Sequence, residues 1–294
     1  MLQGCLYLPV EQLFPTPYYQ EVVVEEGKRD KILILDVDGE ITSGPKESDS
    51  LFEQVDSTVT SVGERLDKAR EDDSIKAVIL RVDSPGGGVT ASDIVYNQLK
   101  RYRKDTGIPI YVSMLDLAAS GGYYISMAGD EIYAHPTSIT GSIGVIAIFP
   151  QFENLGEKIG VYAEVIESGE NKDMSGGFKN MTDRQRALLQ ETIDELYERF
   201  LSVVKEGRPD LDEKEVRRIS DGRIYTARQA KELGLIDGIM YLDEVVDQVR
   251  SQEGLPDAQV ILYRKTTAEE VNSVYAKAQP VNAAETQTGK QVNL

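Results

Sequence analysis

Several kinds of residue are scarce in this chain, and each scarcity removes a class of chemistry. Cys5 is the single cysteine in 294 residues, so no internal disulfide forms and the fold must stand on its core. His135 is the single histidine, so a serine nucleophile has one candidate for its usual base. No apolar run reaches the length of about 18 residues that a membrane-spanning helix needs. Positive charge is in the minority: 32 Lys and Arg against 50 Asp and Glu, a net charge of -18. A field of that sign repels phosphate backbones, so no nucleic-acid partner is expected.

What remains is an ordinary globular balance, 40% hydrophobic and 28% charged, with apolar content for a sizeable core. The length suits one large or two small domains. Residues 1–30 hold the prolines of LFPTPYYQ and the acidic run EVVVEEGKRD, and read as a leader or arm outside the core. Within them, LQGC (Leu2 to Cys5) has the form of a bacterial lipobox, whose cysteine carries a lipid, without the apolar segment that precedes one. The other reading of Cys5 is a free thiol in a mobile terminus.

From Lys31 the pattern changes. KILILDVDG (31–39), IKAVILRVD (75–83) and IPIYVSML (108–115) read as strands, separated by helical spacing over 51–74 and 89–104. Thr90 or Ser92 is expected to cap the second helix. A short helix follows Ser120. EIYAH (131–135), IGVIAIF (143–149), VYAEVIES (161–168) and AQVILYR (258–264) read as further strands. Strands alternating with helical crossovers predict an α/β fold on a parallel sheet with right-handed connections. A long helix is predicted over 181–207, with Thr182 and Gln185 at capping-box spacing and an apolar stripe from Leu188 to Val204. Shorter helices are predicted over 212–220, 226–234 and 241–252. The polar, aperiodic residues 266–294 read as a disordered or partner-bound tail.

Ligands in such folds collect where strands hand over to helices. Two handovers are rich in glycine: Ser84-Pro85-Gly86-Gly87-Gly88 and Ser120-Gly121-Gly122. The first lacks the Gly-Lys-Ser/Thr ending of a phosphate loop. Its free backbone N–H groups suit an oxyanion; a tight turn that only glycine tolerates is the other reading. Ser120, among small residues at a helix start, suits a nucleophile facing the positive helix end, or else a plain N-cap serine. For its base, His135 is one option. A neutral lysine is another, if its surroundings lower a pKa of about 10.4. Lys172 lies after a strand candidate, in the small-residue loop ESGENKDMSGGF, flanked by Glu170 and Asp173. These residues by themselves leave the choice open.

SPGGGVTASDIVYNQL, LAASGGYYIS, TSITGSIGV, SGENKDM and DGRIYTARQAKELGLID stand in the order and approximate spacing of the signal peptide peptidase A family. The chain resembles its single-domain form over about residues 31–250. The resemblance implies a Clp protease/crotonase-like α/β fold of ββα units around a parallel sheet, with a C-terminal helical extension, in a protease domain over 31–265. It implies a serine endopeptidase with a Ser–Lys dyad and neither cofactor nor metal. Carried over by position, Ser120 is the nucleophile and Lys172 the general base. Ser142 of TGSIG positions the lysine amine, and the backbone N–H groups of Gly87 and Gly121 form the oxyanion hole. His135 is then structural.

The resemblance also implies a toroidal or dome-like homo-oligomer, commonly of eight subunits, in which serine and lysine can come from neighbouring copies. It implies membrane association, a catalytic domain on the extracytoplasmic side, and remnant signal peptides or other unstructured peptides as substrates. Family members of this size usually carry an N-terminal transmembrane anchor; here a lipid on Cys5 would tie the chain to the membrane surface. In some relatives a C-terminal segment enters the active-site groove, and VYAKAQPVNAAE (274–285) holds small residues suited to a shallow pocket. Two other readings share parts of the pattern. A crotonase-type acyl-CoA enzyme needs the oxyanion hole but not Ser120 and Lys172 together. A protease-dead membrane scaffold keeps only the oligomer.

Overall fold

The computed structural model describes residues 19–45 and 56–265. The lipobox at Cys5, the start of the first predicted helix and the tail over 266–294 lie outside the described residues. The described chain is organised by one nine-stranded sheet, whose main path runs β1-β9-β2-β3-β4-β5-β8. Its strands are β1 Tyr19–Glu25, β2 Lys28–Asp38, β3 Ile75–Ser84, β4 Ile110–Ala119, β5 Glu131–Ala134, β6 Ile139–Gly141, β7 Ile224–Thr226, β8 Gly238–Ile239 and β9 Ala258–Lys265. All pairings are parallel except β1 with β9 and β6 with β7.

Both faces of the sheet are covered, which explains why β2 and β3 read as continuous apolar runs rather than alternating ones. Leu33, Leu35, Val78 and Leu80 face one core; Ile32, Ile34, Ala77 and Ile79 face the other. The first core is closed by α1 (Thr58–Arg70), α2 (Val89–Thr106), α3 (Gly121–Ser126) and the last two turns of α5 (Asp183–Gly207). The second is closed by α8 (Leu242–Gln252), whose Leu242, Val245, Val246 and Val249 form one helical face. The remaining helices are α4 (Glu153–Ile159), α6 (Glu213–Ile219) and α7 (Ala227–Glu232). Thr182 caps α5 in a capping box with Gln185, as its spacing predicts.

Four expectations change. Residues 1–30 were expected outside the core, but Tyr19–Glu25 form an edge strand that zips antiparallel onto β9. Neither Thr90 nor Ser92 caps α2; the N-cap is Gly88, and the Ser92 hydroxyl donates back to the Gly88 carbonyl at 3.0 Å. Residues 143–149 and 161–168 are not strands. They have the composition of strands, but no sheet edge among the described residues receives them: Ile146 is 83% and Ile166 93% exposed. Finally, the stripe of α5 is buried only from Phe200 onward, because its N-terminal half projects beyond the sheet together with residues 144–180.

Candidate active site

The glycine-rich handovers meet at the C-terminal end of the sheet, where β3 and β4 lie side by side in parallel. At the end of β4 the chain must reverse into α3 within one residue. That residue is Ser120, with φ 52° and ψ −117°. Backbone angles of this kind cost an L-residue about 1–3 kcal/mol and persist only where the surroundings impose them. They are imposed here by two hydrogen bonds: the Ser120 N–H donates to the Gly141 carbonyl at 2.8 Å, and the Ser120 carbonyl accepts from the Tyr124 N–H at 2.9 Å. The Ser120 hydroxyl does not cap α3. The strained turn lifts it out of the helix and leaves it half-buried, the geometry of a nucleophile on a sharp strand-to-helix turn.

One other non-glycine residue among those described has positive φ: Ser142, at 51°. It follows Gly141 directly, so the two strained serines are linked by the Ser120–Gly141 hydrogen bond. Ser142 is itself held by its N–H donating to the Arg223 carbonyl at 2.7 Å. The β6–β7 ribbon therefore carries Ser142 to the flank of Ser120.

The oxyanion candidates lie on the opposite flank. Gly87 forms an isolated parallel bridge with Ile41. Ile41 N–H donates to the Gly86 carbonyl at 2.9 Å and its carbonyl accepts from the Gly88 N–H at 3.0 Å. In a parallel bridge of this pattern the middle residue's own N–H points away from its partner. That of Gly87 has no acceptor among the described residues, and its loop lies against Ser120 and Gly121. The approach is close: a side chain on Gly86 would lie 2.6 Å from the Gly121 nitrogen and 2.9 Å from Ser120 Cβ, and Gly86 has φ +100°. A Cβ on Gly121 would sit 3.2 Å from the Gly87 nitrogen. The N–H of Gly121 is the first of α3, one of the orphan donors at every helix start. Two free N–H groups thus stand together beside one strained serine.

Ser84, fully buried, fixes the glycine loop. Its hydroxyl donates to the Gly39 carbonyl at 2.6 Å and accepts the Gly86 N–H at 3.1 Å. Ser84→Ala leaves a buried donor and acceptor unpaired, so stability should fall by about 1–3 kcal/mol. Denaturant melts should register this, and no change in midpoint would show that water replaces the hydroxyl. Sequence reasoning placed Ser84 in the motif but gave it no role. Its only signal was a serine two residues ahead of a glycine that must not move.

Lys172 is not brought to this cluster. It lies exposed in an irregular turn, its N–H donating to the Gly169 carbonyl at 2.9 Å. Its ammonium makes no ion pair or hydrogen bond among the described residues. The Lys172 turn rests on the start of α5, where Gln185 Nε2 donates to the Glu170 carbonyl at 2.6 Å. The Ser120 helix rests on the other end of α5, where Tyr124 meets Phe200 at 4.8 Å between ring centroids. Fifteen residues of helix at 1.5 Å each separate those two contacts along α5 by about 22 Å. His135 is no nearer by the chain: its N–H bonds the Met114 carbonyl, six strand positions or about 20 Å before Ser120. Its ring pairs with Thr137 at 2.9 Å and stands edge-on to Tyr241, a structural setting. No cluster of His, Cys, Asp and Glu suited to a metal occurs among the described residues.

Comparison with known proteins places the chain in a peptidase family. The family model of peptidase family S49 matches residues 102–256, and that of Clp protease matches residues 50–140. A protein named as signal peptide peptidase SppA from Enterococcus faecium is 36% identical over 248 residues, covering 84% of this chain and 71% of that one. A protease of Synechocystis is 38% identical over 209 residues, 71% of this chain and 69% of its own. Protease 4 of Haemophilus influenzae is 37% identical over 218 residues, 74% of this chain but 34% of that longer protein.

Proposed function

The chain belongs to peptidase family S49, a serine peptidase on a Clp protease/crotonase-like fold, and from that premise we propose that it is a Ser–Lys endopeptidase whose sites are completed between copies. Ser120 is the nucleophile and Lys172 of a neighbouring copy the general base. The observation that carries this reading is the division of the candidates. Ser120, Ser142, Gly87 and Gly121 form one cluster, while the Lys172 turn rests on the far end of α5. A lysine arriving from outside would meet Ser120 with Ser142 beside it to hold its amine.

The reaction is acyl transfer. Lys172 accepts the Ser120 proton as Oγ attacks the scissile carbonyl, and the Gly87 and Gly121 N–H groups receive the charge on the carbonyl oxygen. Lys172 then returns the proton to the leaving amine, and water clears the acyl-enzyme. An amine in water is protonated at neutral pH, and withdrawal from water favours its neutral, basic form. Assembly would supply that withdrawal.

The same segment that carries Lys172 supplies the surface for assembly. Ile146, Ile148, Tyr162 and Ile166 are exposed, and Phe152, Leu155, Ile159, Val161, Tyr162 and Phe178 line an apolar pocket of about 300 Å³. Apolar area of this extent on one projecting segment marks an interface. The proposed assembly is a closed homo-oligomer of about eight copies. Its proposed substrates are signal peptides and other unstructured segments at the membrane. The catalytic domain works on the extracytoplasmic side, tied to the membrane surface through the N-terminus, and needs no cofactor.

The test is cleavage of an unstructured, alanine- and leucine-rich fluorogenic peptide across size-exclusion fractions. Activity should follow the oligomer. Ile166→Asp places a charge in the proposed interface and should yield folded monomers with little or no hydrolysis. A monomer as active as the assembly would defeat the shared-site reading.

A further inference from the structure

One carboxylate near the site receives donors from two further helices, and nothing in the chemistry above uses it. Asp93 lies in the second turn of α2, the helix that starts immediately after the Gly87–Gly88 loop. The Tyr124 hydroxyl donates to Asp93 Oδ1 at 2.5 Å. Arg199, from α5, donates to the same oxygen through Nε at 3.1 Å and Nη2 at 2.8 Å. Tyr124 is the residue whose N–H closes on the Ser120 carbonyl, so its phenol is the outer end of the bond that holds the strained serine. The ring is fixed on both sides, edge-on to Tyr96 at 5.6 Å and tilted against Phe200 at 4.8 Å between centroids.

We propose that Asp93 and Tyr124 are positioning residues that lock the oxyanion helix α2 to the nucleophile helix α3, with Arg199 as their clamp from α5. This rests on the Ser120 reading above and adds to it. The helix α3 is only six residues long, too short to hold its own register. The strain at Ser120 tends to relax by rotating that helix. A rotation would move Oγ away from the Gly87 N–H, because the two residues lead into different helices. The Asp93–Tyr124 bond is the polar contact between these helices that opposes the motion. Burial first, then the Asp93 carboxylate, push the Tyr124 phenol well above the usual tyrosine range, so it stays a donor at any working pH.

The inference makes a kinetic distinction. A misplaced nucleophile lowers kcat and leaves substrate binding intact. Tyr124→Phe and Asp93→Asn should each lower kcat roughly 10–100-fold with KM within about twofold. Affinity for a peptide aldehyde, which forms the tetrahedral adduct, should fall in step with kcat. Tyr96→Phe is the control: it removes a neighbouring hydroxyl, bonded to Glu206 at 2.9 Å, without touching Asp93, and should leave kcat unchanged. If these variants melt too low to assay, Arg199→Gln at the surface should give the same split more weakly, and Arg199→Lys should restore part of it. The proposal is overturned if Tyr124→Phe and Asp93→Asn match Tyr96→Phe in kcat, or if kcat and KM change together. Wild-type protein that cleaves no better than Ser120→Ala would instead remove the protease reading, and this proposal with it.

Discussion

Mixed Ser120→Ala and Lys172→Ala subunits should recover hydrolysis that neither variant has alone. Each single substitution removes a member of the proposed reacting pair, and losses in kcat on the order of 10⁴–10⁶ are typical of such changes. Suppose a site takes its serine from one copy and its lysine from the next. In a random one-to-one mixture, about one site in four then draws an intact serine from a Lys172→Ala subunit and an intact lysine from a Ser120→Ala subunit. Dissociating and reassembling the mixture should therefore raise activity to about a quarter of wild type. The geometry gives the reason: Ser120, Ser142, Gly87 and Gly121 stand together within one chain, and Lys172, the proposed base, is not among them. A mixture that assembles but stays inactive would mean both residues come from one copy, and that the Lys172 arm folds back. Lys172→Ala at the wild-type rate would remove the dyad. His135→Ala should change neither kcat nor KM, since its ring is engaged by Thr137 and Tyr241.

Gly87→Ala should lower kcat by about 10²–10³ with a small change in KM, the size of effect seen when one oxyanion donor is removed. The residue's N–H cannot be deleted by substitution, but its position can be broken. A Cβ at Gly87 would lie 2.2 Å from the Ile41 carbonyl oxygen and 2.6 Å from the Ile41 nitrogen. Both are backbone atoms of the bridge that aims the Gly87 N–H, so the bridge must open. Burst kinetics should show slower acylation while Ser120 remains present and the fold intact by circular dichroism. A folded Gly87→Ala enzyme with unchanged kcat would mean that the oxyanion is stabilised elsewhere. Gly44→Ala is the matching control, since a Cβ there meets nothing within 4 Å.

The two experiments probe different parts of the molecule. The first asks what must come from outside one chain; the second asks what the chain builds for itself. A Gly87 defect with successful subunit complementation would place the charge-stabilising half of the site within a copy and the proton-transfer half between copies.

The sequence determined the central sheet because runs such as KILILDVDG and IKAVILRVD have one place to go, between two helical layers. It determined the start of α5 because Thr182 and Gln185 satisfy orphan N–H groups locally. It also located Ser120 and the glycine loop, since small residues at strand ends are a local signal. Other features depend on long-range contacts. IGVIAIF and VYAEVIES look like strands by composition, yet a strand needs a neighbouring edge, and the described residues provide none for them. Tyr19–Glu25 look like part of an arm, yet β9, more than two hundred residues later, offers an edge that pairs with them. The link from Ser120 through Gly141 to Ser142, the aim of the Gly87 N–H and the meeting of Asp93, Tyr124 and Arg199 have no sequence period. Each joins residues brought together only after the sheet has formed. Local pattern was sufficient for elements whose hydrogen bonds close within a few residues; the site's geometry was decided by tertiary structure, because its partners come from separate elements.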